Sequence, residues 1–283
     1  MKLVRHGQPG EERPGIIDAQ GQIRDLGDRC KDFDPAFFAG DGLQQLKEID
    51  VQSLPVVAAD TRLGPCIAQP GTFLAIGLNY VQHAIETNAP IPTDPIIFSK
   101  APSCVSGPND PVLLPKGSTK TDWEVELAFV VGKRAHYVEE SEALDYIAGY
   151  FICNDVSERE FQLERSGQWQ KGKMFPTFGP IGPWLVTKDE IKDVQNLGMW
   201  LDVNGERRQT GSTKTMIFSV AQVVSDVSQY MTLFPGDIIT TGTPPGVALG
   251  MKPPVWLKAG DVITLGIDGL GTQKQKVVPF KGR

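Results

Sequence analysis

The chain has 283 residues, 40% of them hydrophobic, with a formal net charge of −6 and a pI near 5.2. That is enough apolar material for one large domain, or one large and one small. The acidic balance excludes the basic face that a nucleic-acid partner needs, and the longest apolar runs, such as 127–131, are too short to cross a bilayer.

The opening MKLVRHGQPG lacks the apolar stretch of a signal peptide, so a cytoplasmic location is expected. Four scattered cysteines (Cys30, Cys66, Cys104, Cys153) form no CxxC pair and read as reduced, buried thiols. Residues 1–70 look like a small separate domain. In it, IIDAQGQIRDL places two short apolar stretches around Gln20-Gly21, a hairpin pattern. Leu43, Leu46 and Ile49 recur at helical spacing within 42–50. Pro55, Gly64, Pro65, Pro70 and Gly71 then punctuate the chain and suggest a boundary near residue 70, with residues 71–283 as the larger domain.

From Thr72 the chain is strand-rich. FLAIGL, PIIFSK, PVLLP, VELAFVVG, GYFICND, GPWLVT, MWLDVNG, DIITTG and DVITLGI are short apolar runs bounded by Gly or Pro. Helical patterns are expected only over 141–148, 156–165 and 215–230. They do not alternate regularly with the strands, so a βαβ parallel sheet is disfavoured and an α+β fold with a curled, mostly antiparallel sheet or roll is expected.

Within the strand WEVELAFVV (123–131), alternate side chains share a face. Glu124 and Glu126 therefore point the same way, followed on that face by Ala128 and Val130, while Val125, Leu127 and Phe129 point to the other side. Two such carboxylates repel unless a cation lies between them; the plainer reading is a half-solvated strand with a wet face. Asp155 follows the apolar run 150–153, where it would either cap a helix or join the two glutamates. Three oxygen ligands without a neighbouring His or Cys favour Mg²⁺, with Mn²⁺ possible, over Zn²⁺.

His83 and Glu86 stand three apart in GLNYVQHAIETNAP, neighbours on a helical turn. Glu86 could fix the tautomer of His83 and make it a base for water; an ordinary surface contact is the alternative. The Pro-rich stretch after it fits a movable cover. Lys173, Arg159 and Lys100 are candidate anion holders, and the turn GTPPG (242–246) could offer Thr243 and backbone N–H groups to a carboxylate. The spacing GxxxxGK at 167–173 is not a phosphate loop, because Met174 and a run of Pro and Gly follow where a helix would have to start. No GxGxxG opens a helix, and no GxSxG elbow occurs.

GLNYVQHAIE, PIIFSKAPS, TDWEVELAFVVG, GYFICNDVSEREFQ, GQWQKGKMFPTFGPIGPW, VNGERRQTGSTKTMIF and TLFPGDIITTGTPPGV together, in this order over roughly 72–275, resemble the fumarylacetoacetate hydrolase family. Within it, NDVSEREFQLER with GQWQKGK is most similar to hydrolases of 2,4-diketo-3-deoxy-L-rhamnonate or L-fuconate, relatives of which are also labelled ureidoglycolate lyase. The resemblance implies a mixed β-sandwich roll behind a small N-terminal β-rich domain, and a homodimer. It implies metal ligands at Glu124, Glu126 and Asp155, and catalytic residues at His83, Glu86 and Lys173. Arg159, Gln162 and Thr243 fall where substrate-contacting residues lie, and Lys100 joins them as an anion holder.

The activity implied is Mg²⁺-dependent cleavage of the C3–C4 bond of a small anionic 2-oxo acid, giving pyruvate and lactate from 2,4-diketo-3-deoxy-L-rhamnonate. A 2-oxo acid decarboxylase of the oxaloacetate type, a ureidoglycolate lyase, and a metal- or ligand-binding module without catalysis are the alternatives. One departure stands out: the family often reads GKSFDTF or GKSADTF where this chain has GKMFPTF, placing Met174 and Pro176 beside the lysine.

Overall fold

A computed structural model describes residues 1–281. The chain opens with β1 (Lys2–His6), β2 (Arg13–Ile17) and β3 (Ile23–Asp25), followed by the short helices α1 (Pro35–Ala39) and α2 (Gly42–Lys47). Next come β4 (Phe73–Gly77), α3 (Val81–Glu86), β5 (Ile96–Lys100), β6 (Val105–Ser106), β7 (Val112–Leu114) and β8 (Thr121–Asp122). The middle of the chain gives β9 (Val125–Val131), β10 (Ile147–Asn154), β11 (Ser157–Glu158) and β12 (Gly179–Thr187). The last part gives β13 (Gly198–Val203), β14 (Glu206–Ser212), α4 (Val220–Tyr230), β15 (Ile238–Thr240), β16 (Val262–Ile267) and β17 (Gly271–Pro279).

The strands form a ten-stranded sheet in the order β3-β2-β1-β12-β10-β9-β15-β4-β5, with β6 beside β12, and a five-stranded sheet in the order β14-β13-β16-β17-β7. Strands β8 and β11 pair as a small ribbon. Neighbours are antiparallel except at β15/β4, β12/β6 and β17/β7. This is the expected α+β architecture.

The N-terminal strands do not stand apart. β1 pairs with β12 through Lys2↔Val186 and Leu3↔Leu185. Leu3, Ile16, Phe33 and Phe38 share one core with Phe73, Phe151, Phe178 and Ile238. The hairpin around Gln20-Gly21 is present: Asp18 accepts the N–H groups of Gln20 and Gln22 at 2.9 and 2.8 Å and so closes the turn between β2 and β3.

β9 sorts its side chains into two cores. Val125, Leu127, Phe129 and Val131 pack toward the five-stranded sheet and α4, while Ala128 and Val130 pack on the other side. Every residue of β9 is buried, so the wet face considered above is replaced by a second apolar layer, with the glutamates at its end.

Three expected helices differ. Residues 140–146 make a 3₁₀ segment and 147–154 are β10, whose Ile147, Tyr150 and Ile152 pack into one core and Ala148, Phe151 and Cys153 into the other, with a register shift between Ile147 and Gly149. Residues 157–158 are a strand, and only a wide helical turn follows at 160–164. Helix α4 starts at Val220 and not at Thr215. Ser219 caps it, accepting from Gln222 N while the Gln222 side chain accepts from Ser219 N. The preceding segment is tied down instead by Asn79, whose carbonyl accepts Ile217 N and whose Oδ1 accepts Phe218 N.

Candidate active site

Strand alternation carries Glu124 and Glu126 to one face at the end of β9, and Asp155 leaves the paired end of β10 next to them. Cys153↔Glu126 and Asn154↔Val125 are in register, and Asp155 N donates to Glu124 O at 2.9 Å. One oxygen from each of the three carboxylates lies within 4.8 Å of the others, and all three residues are buried. Asp155 caps no helix: its oxygens accept from Lys100 Nζ and from Lys173 Nζ at 2.7 Å.

The three acids are not equally compensated. Glu124 accepts from Arg159 Nη2 and from Lys173 Nζ, both at 2.6 Å. Burial is the largest single influence on Glu124 and disfavours its charge, yet Arg159, Lys173 and His83 together hold its pKa well below the usual carboxylate range. Glu126 has no cation against it. Thr240 Oγ1 at 2.6 Å and Gly242 N at 3.0 Å both bind its Oε2, leaving Oε1 free of hydrogen bonds among the described residues. Burial first, then the neighbouring charges of Asp155 and Glu124, push its pKa well above the ordinary value. A buried carboxylate in that position calls for a cation to stay ionised. An all-oxygen donor set of three carboxylates suits a hard divalent ion, so the residues present fit one.

Opposite the carboxylates, α3 carries His83 and Glu86 on one turn. His83 Nδ1 and Glu86 Oε1 are 2.8 Å apart, and Glu86 Oε2 accepts Gly246 N at 2.8 Å. With its Nδ1–H donated to Glu86, the ring keeps the Nε2 lone pair available as a base. His83 is buried and lines the same cavity as the three acids, so the surface-contact alternative does not apply.

That cavity, about 140 Å³, is lined by His83, Glu124, Glu126, Asp155, Arg159, Gln162, Lys173 and Thr243, together with apolar side chains. Arg159 is held on three sides: Nε to Asp122 Oδ2 at 2.8 Å, Nη1 to Gln162 Oε1 at 2.9 Å, and Nη2 to Glu124. Lys173 sits between Glu124 and Asp155. Its three N–H donors meet two carboxylates, which leaves one for an incoming anion. Thr243 lines the cavity, but its hydroxyl donates to Val125 O at 2.9 Å and accepts from Gln209 Nε2 at 2.7 Å, so it is committed to the protein.

Lys100 lies outside the cavity lining. It is fully buried behind Asp155 and also donates to Lys173 O at 2.7 Å, which makes it a support for two site residues and takes it away from any anion in the cavity. Two N–H groups of the GTPPG turn do meet carboxylates, but these are the protein's own: Gly242 N meets Glu126 and Gly246 N meets Glu86.

Four residues escaped the sequence reading. Asp122 anchors Arg159 and accepts Ala248 N at 2.8 Å and Leu249 N at 3.1 Å. It continues the alternation 122, 124, 126, which was a usable signal. Gln209 reaches from β14 to Val125 N at 3.0 Å and to Thr243; nothing in the sequence marks it. Phe98 and Trp169 form an edge-to-face pair, centroids 5.6 Å apart, on the cavity wall. Trp169 lies close to Lys173 in GQWQKGK, and that motif could have drawn attention to it.

Residues 72–278 match the family model described as fumarylacetoacetate (FAA) hydrolase, C-terminal. The chain belongs to the fumarylacetoacetate hydrolase family. A Burkholderia cenocepacia member, provisionally named a hydrolase, is 55% identical over 276 residues, 97% of this chain and 98% of its own. Among solved structures of the family fold, a fumarylacetoacetate hydrolase from Exiguobacterium antarcticum matches with a TM-score of 0.89 at 35% identity, covering 99% of this chain and 100% of that one. A 2-hydroxyhepta-2,4-diene-1,7-dioate isomerase from Mycobacterium marinum matches at 0.77 and 32%, with both chains covered to 100%. A maleylpyruvate hydrolase from Sphingobium sp. SYK-6, in complex with manganese(II) and pyruvate, matches at 0.82 and 28%, covering 99% and 100%. The family thus includes hydrolases and isomerases, and a divalent metal accompanies at least one of them. Among the described residues, no helix is long and apolar enough to cross a membrane.

Proposed function

We propose that the chain is a Mg²⁺-dependent hydrolase that cleaves the C3–C4 bond of a 2,4-dioxo acid, with 2,4-diketo-3-deoxy-L-rhamnonate as substrate and pyruvate and lactate as products. One observation carries this reading: a carboxylate cluster short of one cation and an imidazole with a free Nε2 face the same small cavity. The pyruvate and manganese bound by the Sphingobium maleylpyruvate hydrolase support it, since pyruvate is the half-product expected here.

A divalent ion held by Glu124, Glu126 and Asp155 would supply positive charge against the 2-oxo and carboxylate oxygens of such a substrate. His83, held in one tautomer by Glu86, takes a proton from water. The resulting hydroxide adds to C4, and the remaining N–H of Lys173 is placed to meet the negative charge that develops on the C4 oxygen. The C3–C4 bond then breaks with its electron pair going to C3, which recovers a proton from His83. Water's oxygen ends in the new carboxylate, lactate, and C3 becomes the methyl group of pyruvate.

Glu126→Gln removes the one ligand with no cation of its own. It is expected to abolish both turnover and calorimetric Mg²⁺ binding while the protein stays folded; full activity in that variant would defeat the metal assignment. Cleavage in H₂¹⁸O should place label in lactate. Release of CO₂ or glyoxylate without label in a new carboxylate would replace hydrolysis by decarboxylation or by the lyase reaction. A homodimer in the cytoplasm is the proposed setting, checked by sedimentation and by fractionation.

A further inference from the structure

Around the cavity the charges are nearly closed. Five acids in direct hydrogen-bond contact with the site or within it, Glu86, Asp122, Glu124, Glu126 and Asp155, face three bases, Lys100, Arg159 and Lys173. A doubly charged ion brings the group to neutrality and leaves no surplus. The two cations that line the cavity, Arg159 and Lys173, are already engaged by Asp122, Glu124 and Asp155, and the one N–H that Lys173 keeps is the donor assigned above to the C4 oxygen, away from the end of the acyl arm. Away from the carboxylates the wall is mostly hydrocarbon, with Ile76, Leu78, Phe98, Leu163, Trp169 and Leu249, and its polar members there, Thr87, Gln162 and Thr243, carry no charge. The wall is built in. Gly77 is where the indole of Trp169 rests, and a Cβ there would stand 2.4 Å from Trp169 Cζ3. Phe98 meets that indole edge-on and also lies 5.2 Å from the Lys173 ammonium.

We propose that this site selects monocarboxylic 2,4-dioxo acids whose acyl arm is short and uncharged, with Trp169, Phe98 and Leu163 as the residues that set the preference. This rests on the hydrolase reading above and narrows it. A second carboxylate on the acyl arm would enter an apolar wall with no cation to meet it, and burying an unpaired charge there is expensive. A lactoyl arm, ending in a methyl group, fits; 2,4-dioxo acids with a second carboxylate at the end of that arm do not.

The test compares 2,4-dioxoheptanoate with 2,4-dioxoheptanedioate, which have the same carbon chain and differ in a terminal methyl or carboxylate. With the Mg²⁺-loaded protein, kcat/KM for the monoacid is expected to exceed that for the diacid by roughly 100-fold. Calorimetry on His83→Ala, whose turnover should be slowed enough for binding to be read apart from cleavage, is expected to show the same order in Kd. Leu163 is 43% exposed at the rim, so Leu163→Arg should fold and should narrow the ratio by about ten-fold by giving the second carboxylate a partner. Equal or reversed preference in the parent overturns the proposal and leaves the hydrolase reading intact. So does an unchanged ratio in a Leu163→Arg protein that melts like the parent. If neither acid is cleaved by the parent nor bound by His83→Ala, the hydrolase reading itself falls.

Discussion

His83 and Lys100 separate two kinds of buried polar residue. His83 has one nitrogen engaged and faces the cavity, so His83→Ala should lower kcat by roughly 10²–10⁴-fold with little change in melting temperature. An unchanged rate would remove the base from the scheme. Lys100 touches only protein. Lys100→Met strips Asp155 of one of its two cations in a fully buried setting, and the loss of one partner of such a pair typically costs about 3–5 kcal/mol. Denaturant unfolding should show that loss, and a stability within about 1 kcal/mol of the parent would mean that Lys173 alone satisfies Asp155. At this scale the sequence was informative about side chains that alternate on a strand or sit one turn apart. It was silent on direction: nothing in PIIFSK says that Lys100 turns inward behind the cluster. Lys100 and Gln209 take their roles from strands distant in the chain, which local spacing cannot show.

Among the elements, strands were legible and helices only in part: α2 lies within 42–50, α3 carries the His83–Glu86 turn and α4 lies within 215–230, whereas 141–148 and 156–165 are not α-helices. Apolar runs bounded by Gly or Pro gave β4, β5, β9, β10 and β16 because each is buried on one or both faces. The run 141–148 has apolar residues at spacings that suit a helix as well as a strand. From Ile147 onward pairing with β9 and β12 makes strand, while 140–146 close as a 3₁₀ segment. Likewise Thr215–Phe218 carries no signal against helix, yet Asn79 claims its backbone donors, and the helix begins only where Ser219 and Gln222 cap each other. Ser219→Ala should therefore cost about 1 kcal/mol, read from the shift in denaturation midpoint. A neutral substitution would show that α4 is positioned by its buried valines alone.

For the molecule as a whole, the coupling between charge and stability can be stated with its sign. The pKa of Glu126 is raised in the folded protein, so its contribution to stability is present below the ordinary carboxylate range and is lost as pH climbs through the raised value. Glu124, depressed, contributes above the ordinary range and loses its share only as pH falls through its low folded value. An ion that holds Glu126 ionised reverses the first effect. The rise in melting temperature on adding Mg²⁺ should thus grow as pH climbs above the ordinary carboxylate range toward the raised value of Glu126, because the ligands must be deprotonated to bind. A gain that is flat or shrinks over that interval would separate Glu126 from ion binding. The layered α+β plan could be read from the sequence. The sharing of one sheet and one core by the N-terminal strands and the rest could not, since β1 finds β12 more than 170 residues away.

The stretch that follows β15 grips three different acids through its backbone: Gly242 N holds Glu126, Gly246 N holds Glu86, and the amides of Ala248 and Leu249 hold Asp122. The proposed ion ligand, the partner of the proposed base, and the anchor of the guanidinium are thus indexed to a single strip of main chain. Lengthening that strip by one residue would detune all three at once, and so would a side chain at Gly242 or Gly246, where a Cβ would stand 2.8 Å from Asn79 Cβ and 2.0 Å from Arg208 O.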